Sequence, residues 1–148
     1  MTRYASVTSH GEYYALWREH HMRVLLVEDE PAVREELCEF LALRGYDVRS
    51  VADMREAERV LHEPWLPCAL ITDFRLPGGS GLDLVRALRR DEDLRVNVTP
   101  IIMMTGHTDL TDQVRNALDH ERLPMLIKPF DAVMLLSMLG PPQPYEPL

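Results

Sequence analysis

Four apolar runs of strand length in this chain end on side chains able to do chemistry. Arg23-Val-Leu-Leu-Val27 is followed by Glu28, Asp29 and Glu30, and Ala69-Leu-Ile-Thr72 by Asp73. Ile101-Ile-Met-Met104 is followed by Thr105, and Met125-Leu-Ile127 by Lys128. Carboxylates brought together repel one another unless a cation or a proton compensates them. A few carboxylates that leave room for water and phosphate oxygens suit Mg²⁺. A carboxylate is also a nucleophile able to form an aspartyl-phosphate. A lysine, as a compact point charge, neutralises the group being transferred. Of the sixteen basic residues fifteen are Arg, and Lys128 is the only Lys, standing directly before Pro129-Phe130.

These residues can meet only if the elements between them align the run ends. From Pro31 to Arg44, Val33, Leu37, Phe40 and Leu41 fall at helical spacing, with Pro31 in the first turn and Gly45 as the stop. Tyr46 to Val51 reads as a second strand. Asp53 and Glu56 have the spacing of a capping box before Ala57, Val60 and Leu61, and Ser80 and Asp83 repeat it before Leu82, Val85 and Leu88. Thr111 to Leu118 predicts a weakly amphipathic helix, and Asp131 caps a last one ending near Leu139. Five strand–helix alternations require an α/β fold, a doubly wound five-stranded parallel sheet with helices on both faces. Right-handed crossovers then collect the carboxyl ends of the strands along one edge, where open α/β sheets bind ligands.

Composition excludes several other classes. A net charge of −8 and pI of 5.2 argue against direct nucleic-acid binding, which needs a basic stripe. No apolar run approaches the ~20 residues that span a bilayer. Residues 1–21 carry Glu12 and Glu19 where a signal peptide has its apolar centre. Cys38 and Cys68 lack metal-ligand spacing and read as reduced thiols. A cytoplasmic location follows by elimination. The expected organisation is an N-terminal extension (1–21), one domain (22–139) and a Pro-rich tail (140–148). In the extension Tyr13, Leu16, Trp17 and His20 form an apolar helical face or have no fixed structure; both readings stand. His20-His21, without further spaced ligands, read as exposed rather than metal-binding.

Val-Leu-Leu-Val-Glu28-Asp29-Glu30, Ile-Thr-Asp73-Phe-Arg-Leu-Pro77-Gly-Gly-Ser-Gly81, Met-Met-Thr105-Gly and Lys128-Pro129-Phe130 occur in order at compatible spacing. Together they resemble the signatures of bacterial two-component response-regulator receiver domains over about residues 22–139. The resemblance implies the flavodoxin-like receiver topology and a phosphoryl group accepted on Asp73 from a sensor histidine kinase or a histidine phosphotransfer protein. It implies Mg²⁺ held by Asp29, Asp73 and the Arg75 carbonyl, with Glu28 acting through metal-bound water. Thr105 and Lys128 would each take a phosphoryl oxygen, and the Lys128–Pro129 bond would be cis. Arg75 and His107 stand where the family borders the pocket and influences loss of the phosphoryl group; the alternative is that both are ordinary surface residues.

Met125 departs from the family, which usually has Tyr or Phe three residues before the lysine. The leading reading is a receiver without an output domain in this chain, joined to a kinase on one side and to an unknown downstream protein, or a second copy of itself, on the other. The alternative is a receiver-like interaction module that works without phosphorylation. An enzyme acting on an independent substrate is disfavoured, because phosphatases of the aspartyl-phosphate type place a further acid beside the nucleophile and Arg75 stands there instead.

Overall fold

The computed structural model describes residues 23–65, 67 and 69–140. The expectations for Tyr13, Leu16, Trp17, His20, His21, Cys68 and the Pro-rich stretch from Pro141 onward lie outside the described residues. Five parallel strands form one sheet: β1 (Arg23–Val27), β2 (Asp47–Val51), β3 (Ala69–Asp73), β6 (Ile101–Gly106) and β7 (Met125–Lys128). Their order is β2-β1-β3-β6-β7, so the sheet winds outward in both directions from β1 and β3. β4 (Arg75–Leu76) and β5 (Gly79–Ser80) form a separate antiparallel hairpin directly after Asp73.

The central strands are apolar without interruption because each is covered on both faces. Alternation along the strand divides the core in two. Leu25, Val27, Leu70, Ile101 and Met103 face α2 (Met54–Leu61), α3 (Gly81–Arg89), α4 (Glu92–Asn97) and α5 (Asp112–His120). Val24, Leu26, Ile71, Ile102 and Met104 face α1 (Pro31–Leu43) and α6 (Ala132–Leu139), through Leu37, Leu41 and Leu135. α1, α2, α3 and α5 return the chain from the carboxyl edge of the sheet, so every strand of the parallel sheet starts at the same opposite edge.

Several local readings are met in detail. Pro31 opens α1, and Gly45 follows its end with φ 97°, a left-handed conformation open to glycine. Ser80 and Asp83 form both halves of a capping box. Asp53 accepts the Glu56 N–H at 2.8 Å, but the return bond from the Glu56 side chain is not made. One corrected boundary is Tyr46: β2 begins at Asp47, and the Tyr46 hydroxyl instead donates to the Gly140 carbonyl. The hairpin β4–β5 and the six-residue α4, capped by Asp91, were not anticipated.

Candidate functional site

Strand register brings the polar run ends together. Glu28 follows β1 directly, and its N–H is held by the Val51 carbonyl at the end of β2 (3.0 Å). Asp73 ends β3 opposite Met104, and the next N–H, that of Phe74, donates to Met104 at 2.7 Å. Thr105 lies one residue further along β6, and Gly106 pairs with Lys128 at the end of β7. Glu28, Asp73 and Thr105 are 0%, 6% and 1% exposed, whereas Asp29 is exposed. Three strand ends and the segment after a fourth thus enclose one polar site at the sheet edge.

Lys128 organises this site. Its Nζ lies 2.5 Å from Glu28 Oε1 and 2.6 Å from Asp73 Oδ1, a single cation between two buried acids. Glu28 Oε2 also accepts the Glu30 N–H at 3.2 Å. The Lys128–Pro129 bond is cis, as is Thr99–Pro100. A groove of about 600 Å³ opens beside Lys128, with Val33, Leu37, Pro129 and Phe130 in its lining.

Charge balance sets the acidities. Burial pushes the Asp73 carboxyl up to about 8; Glu28 beside it adds to the rise and Lys128 opposes it. Burial also raises Glu28, but its hydrogen bonds with Asp73 and Lys128 outweigh that effect and hold it below the usual value. Burial would lower Lys128, yet the two carboxylates more than offset it and keep the ammonium above its ordinary value. The two acids therefore titrate as a pair, with the proton held on Asp73.

One lysine for two buried acids leaves room for a second cation. Carboxylate oxygens of Glu28, Asp29 and Asp73 lie within 4.8 Å of one another. An all-oxygen set with one exposed member suits Mg²⁺, which keeps several waters.

The remaining candidates take different positions. The Thr105 hydroxyl donates to the Gly106 carbonyl at 3.3 Å and makes no bond to Asp73. Arg75 begins β4, and its side chain turns outward to pair with Asp109 in the 3₁₀ turn His107–Asp109. His107 opens that turn and is exposed. Met125 is half-buried against the core on the α2–α5 side. Two contributors were missed from the sequence. Asp109 is a lone acid in a loop and carried no signal. Gly81 packs under Asp73, and the Gly78-Gly79-Ser80-Gly81 run was the only hint of it.

Among the described residues no helix is long and apolar enough to cross a membrane. The family model for the response regulator receiver domain matches residues 24–140. The chain is 34% identical over 117 residues to the phosphate regulon transcriptional regulatory protein PhoB of Klebsiella pneumoniae, covering 79% of this chain and 49% of that protein. It is 39% identical over 119 residues to the response regulator protein PilR of Pseudomonas aeruginosa, covering 80% of this chain and 25% of that protein. The chain therefore spans about half the length of PhoB and a quarter of PilR. A response regulator receiver protein from Pseudomonas putida aligns with a TM-score of 0.71 at 32% identity, covering 79% of this chain and 93% of that one. A signal receiver domain of a signal transduction histidine kinase from Syntrophus aciditrophicus gives 0.68 at 32% identity, covering 79% and 86%.

Proposed function

The chain belongs to the response regulator receiver family of two-component systems, and from that premise we propose that Asp73 accepts a phosphoryl group from a histidine kinase or a histidine phosphotransfer protein. The observation that carries this reading is Lys128 seated between Glu28 and Asp73, with Asp29 close by. In the transfer an Asp73 carboxylate oxygen attacks phosphorus, the phosphorus–nitrogen bond of the donor phosphohistidine breaks, and the histidine leaves. Lys128 moves from carboxylate to phosphoryl oxygen and neutralises it. Thr105, whose hydroxyl is committed only to a neighbouring carbonyl, turns to donate to another oxygen. Glu28 stays paired with Lys128 as the lysine exchanges its Asp73 contact for the phosphoryl oxygen.

Asp29, Asp73 and the Arg75 carbonyl would hold Mg²⁺, with Glu28 reaching it through water. The cation supplies charge neutralisation for the phosphoryl oxygens. Phosphorylation exchanges one carboxylate charge for about two charges and three strong acceptors. The loop after Thr105 is then biased between two positions. The domain assists its own phosphorylation and dephosphorylation and signals to a cytoplasmic protein partner, with neither nucleic acid nor membrane bound directly.

Met125 favours a second reading, an interaction module whose surface responds little to phosphorylation. The half-buried methionine is flexible and fills its gap without the discrete inward and outward states of an aromatic ring.

The test is incubation with acetyl phosphate and Mg²⁺ followed by intact mass and peptide mapping. One phosphoryl group on wild type, absent in Asp73→Asn and retained in Asp83→Asn, supports the reading. Incorporation at a different residue overturns it.

A further inference from the structure

Asp29 is exposed, yet its carboxylate stands within 4.8 Å of the carboxylates of Glu28 and Asp73. Among the described residues no side chain donates to that carboxylate, and it joins no ion pair. Its position is therefore set by the backbone of residues 28–30, whose polar groups can be followed one by one. The Glu28 N–H donates to the Val51 carbonyl (3.0 Å) and the Glu30 N–H to Glu28 Oε2 (3.2 Å). The Glu30 carbonyl accepts the Arg34 N–H of α1 at 2.9 Å. The two remaining carbonyls, those of Glu28 and Asp29, both accept from Nη1 of Arg34, at 2.9 and 3.5 Å. Only the Asp29 N–H has no such bond among the described residues. A single half-buried guanidinium thus holds the two peptides that flank the Asp29 Cα.

α1 itself gives no reason for an arginine at this position. Arg34 lies in the opening residues of the helix, where a cation opposes the dipole, and the acids Glu35, Glu36 and Glu39 come after it. Its partners lie off the helix, in the acidic loop.

We infer that Arg34 is a positioning residue for the cation site: by holding both peptides around Asp29 it keeps that exposed carboxylate turned toward Glu28 and Asp73. The inference rests on the reading of Asp29 and Asp73 as Mg²⁺ ligands. Arg34 need not touch the ion or the phosphoryl group. Its charge alone would act in the opposite direction, since a guanidinium near the site repels a second cation. Removing Arg34 therefore weakens Mg²⁺ binding if it positions Asp29, and strengthens it if it only adds positive charge.

Loss of a group that orients a metal ligand commonly weakens binding roughly ten- to a hundred-fold. Asp29 is exposed and can partly recover the ion, so Arg34→Met should weaken Mg²⁺ binding about three- to ten-fold. Arg34→Lys keeps the charge and a donor and should stay within about two-fold of wild type. Calorimetric titration of the full chain with Mg²⁺ measures both, at a temperature where thermal melts show each variant folded. Backbone amide exchange at Glu28 and Glu30, measured without metal, should be faster in Arg34→Met. Unchanged or tighter Mg²⁺ binding in the methionine variant would overturn the inference, as would unchanged exchange or a lysine variant no better than methionine. Wild type that binds no Mg²⁺ overturns the metal reading, and this role with it; the exchange measurement then still decides whether Arg34 holds the loop.

Discussion

Gly81 packs against the backbone of Asp73, so closely that a Cβ there would stand 3.1 Å from the Asp73 carbonyl carbon and nearer still to its oxygen. The same Cβ would meet Met103 Sδ at 2.8 Å. The Gly81 N–H donates to the Phe74 carbonyl at 2.7 Å, so the start of α3 is pinned to the end of β3. The glycine is required by space, since backbone cannot give way as a flexible side chain does.

Gly81→Ala should therefore destabilise the fold by about 1–3 kcal/mol, the range for overpacking. It should also slow phosphoryl uptake, because the displaced backbone carries Asp73. Urea denaturation measures the first effect and the acetyl phosphate assay the second. An alanine variant matching wild type in both would show that the two segments separate easily.

The acidity of Asp73 fixes a pH dependence. Its folded value of about 8 lies above its ordinary 3.8, so the folded state holds a proton that the unfolded state has released between those values. Without divalent metal, stability should fall as pH rises from about 5 to 8. Glu28 shifts the other way, and its contribution is lost only below about pH 4.5, outside that window. Mg²⁺ favours the ionised acids, so its increase in Tm should be larger at pH 8 than at pH 5.5. Thermal melts at both values, with Mg²⁺ and with a chelator, make the comparison. An equal or smaller increase at pH 8 would contradict the assignment.

Removing the lysine should leave the buried charge of Glu28 without its cation. Lys128→Ala leaves Glu28 fully buried beside Asp73 with no cation. Breaking a buried pair costs roughly 3–5 kcal/mol. Lys128 is 28% exposed, which reduces the expected loss to about 2 kcal/mol at pH 7. Adding Glu28→Gln should restore part of it. Denaturation of the two singles and the double decides whether the pair is coupled; equal and additive losses would deny it.

Thr105 predicts the opposite profile. Its hydroxyl makes only a 3.3 Å bond to the adjacent Gly106 carbonyl, so Thr105→Val should alter stability by less than about 1 kcal/mol. If the hydroxyl serves the phosphoryl group, beryllofluoride with Mg²⁺ should shift fewer backbone amide resonances at residues 106–111 in the variant. Shifts equal to those of wild type would remove Thr105 from the site.

The strands and their carboxyl-end residues were legible for a physical reason. A parallel strand buried on both faces is apolar throughout, so the first polar residue after it marks the sheet edge. Asp73, Thr105 and Lys128 were found that way, and the register confirms that they share that edge. Features with little burial left no such trace. β4 and β5 have two residues each, too few for a period. The six residues of α4 bury only Leu94. The Asp53–Glu56 spacing specified an acceptor for a backbone N–H, and that half formed; the Glu56 side chain had no comparable need. Arg75 and Asp109 are 34 residues apart, and nothing in either neighbourhood selects the other.

That Lys128 is the only lysine in the chain turns the site into its own reporter. Lysine labelled with ¹⁵N during expression would place one ε-ammonium signal in the spectrum, and that nucleus sits between Glu28 and Asp73. Its chemical shift would follow metal, donor and pH in a single titration, without assignment of any other resonance.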